Sequence, residues 1–171
     1  MSKTEENLKA AFAGESQARN KYTYFAKIAR KEGYHYIAKI FEETAMNEVQ
    51  HAKDEFKLLN GINSTKENLK AAIEGEDYET DEMYPTFAKE AEEEGNMDAA
   101  ALFRSIAKVE KEHSNRYKRL LTLLENDSVF KRSEPINWKC SKCGFVHNGT
   151  EPPNVCPACK HPKEYYEPED F

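Results

Sequence analysis

Along the first ~126 residues, apolar positions recur at intervals of three and four, as in Phe25, Ile28 and Ala29 or Leu102, Phe103, Ile106 and Ala107. That period lines one face of an α-helix. Gly33, Gly61 and Gly95 punctuate the pattern, at places where a chain leaving a helix needs the conformational freedom of glycine. Four helices fit the intervals, over about 4–32, 35–60, 65–94 and 97–126. Two of them open on a capping box, Ser2 with Glu5 and Ser64 with Glu67, in which a hydroxyl precedes a glutamate by three positions. After Leu124 the period stops. The stretch ENDSVFKRSEP is polar, closes on proline and reads as a linker, and residues 133–171 hold six of the seven prolines and all four cysteines. The expected division is residues 1–132 and 133–171. A segment as short as the second cannot fold on an apolar core alone and needs a staple.

The helical part is duplicated. ENLKAAFAGE at 6–15 aligns with ENLKAAIEGE at 67–76, an offset of 61 with eight of ten positions identical. From Phe25 the offset is 62, since FAKIARKEG at 25–33 aligns with FAKEAEEEG at 87–95. The second copy has gained one residue between Glu76 and Tyr84, and one extra residue inside a helix is commonly absorbed as a π-bulge, often at a functional site. Two helices per copy predict a pair of αα-hairpins arranged as a four-helix bundle of approximate twofold symmetry.

Composition narrows the function classes. The 171 residues carry a net charge of −6, with 39% hydrophobic and 33% charged residues. No stretch approaches the ~18 consecutive apolar residues of a membrane span, and a clustered basic face for nucleic acid is not expected from this balance. The start MSKTEENLKAAF lacks the basic and then apolar regions of a secretory signal, so a cytoplasmic location is expected.

The duplication also exposes candidate chemistry. Glu15 matches Glu76, and Glu48-Val-Gln-His51 matches Glu110-Lys-Glu-His113. A Glu-x-x-His spacing puts both side chains on one helical face, within reach of one metal. A single such pair in a glutamate-rich helix is ordinary surface decoration. Two at symmetric positions, each with a partner glutamate on the preceding helix, form the constellation of ferritin-like di-iron or di-manganese bundles. Carboxylates gathered at a bundle centre would lose several kcal/mol each in hydration without a cation to neutralise them. Carboxylate and imidazole donors suit iron or manganese.

Glu79 breaks the symmetry, because its counterpart is Ala18. The spacing predicts it three residues beyond Glu76 on the same face, a fifth carboxylate opposite His51; the plain alternative is a solvated glutamate in an acidic run. Five carboxylates suit a ferric pair and four a ferrous one, so Glu79 is expected to bind one metal in the oxidised state and His51 in the reduced state. Tyr22 and Tyr84 also match. Each is placed to hydrogen-bond a ligand near the metals, or to serve merely as a core aromatic. His35 and His161 have no partner motif and are expected on the surface. In the tail, Cys140-Ser-Lys-Cys143 and Cys156-Pro-Ala-Cys159 form two thiolate knuckles of a tetrahedral S4 site, which iron and zinc both accept. A neighbouring two-electron site favours a one-electron iron; a zinc ribbon that docks a partner is the rival. A disulfide framework is disfavoured in a reducing compartment.

With AGESQARN at 13–20, Glu48-x-x-His51, GEDYE at 75–79, EMYP at 82–85, Glu110-x-x-His113, and the runs CSKCGFVH from Cys140 and CPACKHP from Cys156, the sequence resembles the rubrerythrins along nearly its whole length. The resemblance implies a mainly α fold, a ferritin-like four-helix bundle followed by a small rubredoxin-like β/loop domain. It implies two non-haem irons held by Glu15, Glu48, Glu76, Glu79, Glu110, His113 and, when reduced, His51, with Glu48 and Glu110 as bridges, and one Fe(Cys)4 centre per chain. It further implies a peroxidase that reduces hydrogen peroxide to water and protects against oxidative stress, with Glu79, His51, Tyr22 and Tyr84 nearest the chemistry. Electrons would arrive from an external reductase or rubredoxin. A homodimer would bring one chain's rubredoxin-like iron near the other's di-iron centre, and some relatives exchange helices. The alternative class is a ferroxidase handling iron for storage.

Overall fold

The computed structural model describes residues 2–169. The helices are α1 (Lys3–Lys31), α2 (His35–Leu58), α3 (Thr65–Tyr78), α4 (Tyr84–Glu93) and α5 (Met97–Glu125), with a π-helical turn, Glu79–Met83, joining α3 to α4. Three short strands complete the chain: β1 (Ile136–Cys140), β2 (Val146–Gly149) and β3 (Tyr166–Pro168). The protein is therefore mainly α with a small strand-and-loop module, as its sequence implies. The chain forms two compact units, Met1–Ser64 and Thr65–Phe171. The expected 132/133 division falls inside the second unit, between the end of α5 and the start of β1. No helix among the described residues is long and apolar enough to cross a membrane.

In each repeat the helices pack through small residues. Ala26, Ala29, Ala38, Ala45 and Ala52 are buried in the first, and Ala88, Ala91, Ala100 and Ser114 in the second. Alanine at the seam lets two backbones approach closely while adding no side-chain entropy cost. A bidentate pair at 3.0 and 2.6 Å ties Arg30 of α1 to Glu42 of α2. At the matching positions the signs are inverted, with Glu92 of α4 paired to Arg104 of α5.

Helix ends show why the punctuation lies where it does. Ser2 accepts from the Glu5 amide and caps α1, as the capping box predicts. Gly33 and Gly95 take positive φ (87° and 77°) two residues past the last helical one, and the next amides along the chain return to the Ala29 and Ala91 carbonyls, the Schellman closure. The other two ends close without glycine. The left-handed residues there are Asn60 (φ 55°) and Asp127 (φ 50°), short polar side chains that tolerate this conformation. Gly61 has a different reason: a Cβ there would overlap the Phe56 ring, whose nearest atom would be 2.1 Å away.

The π-turn accounts for the step from 61 to 62. The Tyr84 amide reaches back five residues to the Glu79 carbonyl, and the widened turn accommodates Pro85 at the start of α4, where a regular helix would clash with the ring. The strand module orders its sheet β2-β1-β3, all antiparallel. Trp138, Cys140, Cys156 and Tyr166 form its buried core, flanked by Phe130, Ile136 and Phe145. Trp138 Nε1 donates to the Gly149 carbonyl at 2.9 Å.

Candidate metal centres

The structure brings six of the seven expected carboxylate and imidazole residues into two triads. On the first hairpin, Glu15 of α1 meets Glu48 and His51 of α2; on the second, Glu76 of α3 meets Glu110 and His113 of α5. In each triad the donor atoms lie within 4.8 Å of one another. The geometry repeats closely. His51 Nδ1 is 2.8 Å from Glu48 and 3.9 Å from Glu15, while His113 Nδ1 is 2.6 Å from Glu110 and 3.5 Å from Glu76.

The glutamates are crowded by like charge. Glu48, through hydrogen bonding and then repulsion and aided by burial, raises the pKa of Glu15. Burial, followed by Glu110, raises that of Glu76. A bound dication relieves this conflict, because it favours both carboxylates ionised at once. The donor set of two carboxylates and one imidazole per triad fits iron.

Glu79 belongs to neither triad. It occupies the π-turn, partly buried, where its charge acts on Glu76 and on Tyr84. Burial first, then the charges of Glu79, Glu110 and Glu76, push the Tyr84 phenol up, so it stays protonated as a donor. Tyr84 stands in an aromatic trio with Phe87 and Phe103 (centroids 6.5 and 6.1 Å). Tyr22 stands in the matching trio with Phe25 and Phe41 (6.3 and 6.0 Å). Both tyrosines are thus packed aromatics; in addition, Tyr84 sits within the field of the second triad.

One polar set was not foreseen. Ser114, fully buried, donates to Asp77 at 2.6 Å, and Lys118 donates to the same carboxylate at 2.8 Å. Asp77 follows Glu76 and Ser114 follows His113, so the bonds lock α3 to α5 beside the ligands. Lys118 and then Ser114 hold the Asp77 pKa below its usual value. The corresponding first-hairpin positions are Ser16, Ala52 and Phe56, and there Phe56 stacks on Phe12 at 4.7 Å instead.

The four cysteine sulfurs form the third cluster, all within 4.8 Å of one another. Cys140 to Cys159 and Cys143 to Cys156 are each 3.7 Å apart. A disulfide needs about 2 Å, whereas a tetrahedron of ~2.3 Å metal–sulfur bonds has edges near 3.8 Å. Two matching turns present the thiols. Gly144 (φ 78°) and Lys160 (φ 62°) each follow the second cysteine of a pair, and their amides return to the Cys140 and Cys156 carbonyls. The Phe145 amide favours the Cys143 thiolate, but Cys159, burial, Cys156 and Cys140 outweigh it and push the thiol up to about 12. Cys156 goes the other way. Burial opposes ionisation there, yet the Tyr166 hydroxyl and the Cys159 and Ala158 amides bring it down to about 6. His161 Nδ1 is 3.2 Å from the Cys159 carbonyl and its ring meets Tyr165 edge-on, so it is half-buried and not at the surface. His35, at the start of α2, is exposed as expected.

Residues 6–121 match the family model described as rubrerythrin, and 138–167 match that of the rubrerythrin rubredoxin-like domain. The rubrerythrin of Porphyromonas gingivalis is 52% identical over 98% of this chain and 90% of its own length. Rubrerythrin-1 of Clostridium acetobutylicum is 50% identical over 96% and 93%. Among solved structures, partially reduced nigerythrin aligns at 36% identity over 98% of this chain and 87% of that one, with a TM-score of 0.38.

Proposed function

The chain belongs to the rubrerythrin family, which joins a di-iron site to a rubredoxin-like domain, and from that premise we propose that it reduces hydrogen peroxide to water with electrons passed through its thiolate-bound iron. The observation that carries this reading is the presence, in one chain, of two matched Glu/Glu-x-x-His triads and an S4 cluster. The triads can serve a two-electron reaction, and the S4 iron can refill it one electron at a time. The balance is H2O2 + 2 e− + 2 H+ to 2 H2O.

When bound, the iron pair supplies two electrons and Lewis acidity at the O–O bond. Glu15 and Glu48 on the first hairpin, and Glu76, Glu110 and His113 on the second, would hold the irons as carboxylate and imidazole ligands. Glu79 would add its carboxylate in the oxidised state and His51 its imidazole in the reduced one. The protonated Tyr84 hydroxyl would donate a hydrogen bond near the second triad, and Tyr22 would do the same on the first. The aromatic trios around them limit water and hold the phenols in place. Cys140, Cys143, Cys156 and Cys159 hold the mononuclear iron. The working form is a cytoplasmic homodimer reduced by an external reductase or rubredoxin.

Stopped-flow mixing of the fully reduced protein with hydrogen peroxide or with oxygen tests the activity. Oxidation by peroxide should be the faster by at least tenfold. Equal rates would remove the peroxidase reading and leave iron oxidation as the better one. A colourless protein as purified would instead support a zinc ribbon in the tail.

A further inference from the structure

We infer that the Tyr166 hydroxyl donates a hydrogen bond to Cys156 Sγ and thereby raises the reduction potential of the thiolate-bound iron. Tyr166 is 3% exposed and lies in the same buried cluster as Cys140, Cys156 and Trp138. Its hydroxyl is buried and finds no conventional hydrogen-bond partner among the described residues. The sulfurs packed with it in that cluster are Cys140 and Cys156, both fully buried. A buried hydroxyl without a partner is costly, and native structures rarely keep one without a reason. A neutral thiol is a weak acceptor. A metal-bound thiolate is a charged one, and charge-assisted bonds are the strong ones, so loading the site with metal gives the orphaned hydroxyl its partner.

Register puts the phenol there. β3 pairs with β1 so that Tyr166 stands directly opposite Cys140, which aims the ring of Tyr166 into the module's core beside both knuckles. Cys156 is fully buried and the second cysteine of its knuckle, Cys159, is half-buried, whereas Cys143 is exposed to solvent. The hydroxyl therefore acts on the dry side of the cluster, where water cannot substitute for it. Reduction adds one negative charge to the iron and its four thiolates. A donor aimed at one of those sulfurs stabilises the more negative reduced form more than the oxidised form, and this raises the potential. Tyr166 is accordingly a positioning and tuning residue for electron delivery; it has no role in binding peroxide.

The inference rests on the reading of the four thiolates as an iron site. Redox titration of the full-length iron protein, followed in the visible absorption of the thiolate iron, tests it with Tyr166→Phe. That change keeps the ring and removes only the hydroxyl. At a fixed solution potential the ferric to ferrous ratio should rise about tenfold, which for one electron is about 59 mV. An unchanged ratio in a variant that keeps its colour would overturn the inference while leaving the iron assignment intact. A wild-type protein with no such colour would overturn the iron assignment itself. The wild-type protein loaded with cadmium-113 gives a second readout that needs no variant. The Tyr166 hydroxyl proton should appear as a slowly exchanging resonance coupled through the sulfur to the metal, and a freely exchanging hydroxyl without that coupling would also overturn the proposal.

Discussion

The two hairpins repeat one arrangement and differ in what surrounds their triads. Both place a glutamate opposite a Glu-x-x-His and both pack a tyrosine against two phenylalanines. Only the second carries the π-turn, Glu79, and the Asp77–Ser114–Lys118 set. The first fills the corresponding space with stacked Phe12 and Phe56. The lesson is that ligand positions tolerate little change between copies, whereas the groups around them are free to specialise. One triad rests on apolar packing and the other on a charged hydrogen-bond set with an extra carboxylate nearby.

The strongest way to break this asymmetry is to remove its most distinctive group. Glu79→Ala should keep the metal content of the protein and lower peroxide turnover about 100-fold, equal to ~2.7 kcal/mol of barrier. The reciprocal change, Ala18→Glu, should leave turnover within twofold. Metal analysis and steady-state rates on both variants decide the matter, and full turnover in Glu79→Ala would place the specialisation elsewhere. The next effect is on stability. Asp77→Ala strands the buried Ser114 hydroxyl and removes the partner of Lys118, at a cost of about 2–3 kcal/mol. The first-hairpin equivalent, Ser16→Ala, should stay within about 0.5 kcal/mol. Urea unfolding of the two variants checks the contrast, and equal costs would mean that the polar set adds nothing over apolar packing.

The smallest effect concerns acid. The Arg30 guanidinium, by hydrogen bonding, holds Glu42 below its ordinary pKa of 4.5, and Lys66 does the same for Glu125. A carboxylate depressed on folding adds stability above its unfolded pKa and loses it as pH falls through the folded value. Both units should therefore weaken as pH drops below about 4.5. Glu42→Gln should flatten that acid limb for the first hairpin alone, as followed by helical circular dichroism; an unchanged limb would show that this exposed pair contributes nothing.

Much of this was legible in the residues because it repeats or recurs locally. Helix spans follow from apolar period, the π-turn from a one-residue step in the repeat, the triads from Glu-x-x-His spacing together with the matching glutamates of the repeat, and the thiolate knuckles from Cys-x-x-Cys spacing. What escaped depends on how elements face one another. Asp77 and Lys118 are 41 positions apart, and no local spacing reveals that α3 and α5 are rotated to bring them together. Tyr166 carries no local signal at all, and only the β1–β3 register sets it against the cysteines. At the end of α2 the left-handed residue is Asn60, although the neighbouring Gly61 is the louder signal; glycine at 61 answers instead to the Phe56 ring.

The inverted ion pairs bear on how such a chain sorts itself during folding. After duplication, four similar helices can in principle match with the wrong mates. An α1 that took α5 in the place of α2 would bring Arg30 against Arg104, and an α4 that took α2 would bring Glu92 against Glu42. Each mismatch exchanges a mild attraction for a mild repulsion, weak because the groups are exposed and screened by solvent. Opposite polarity in the two copies thus acts as a lock-and-key code for helix partnership, written in surface charge and at no cost to the interior.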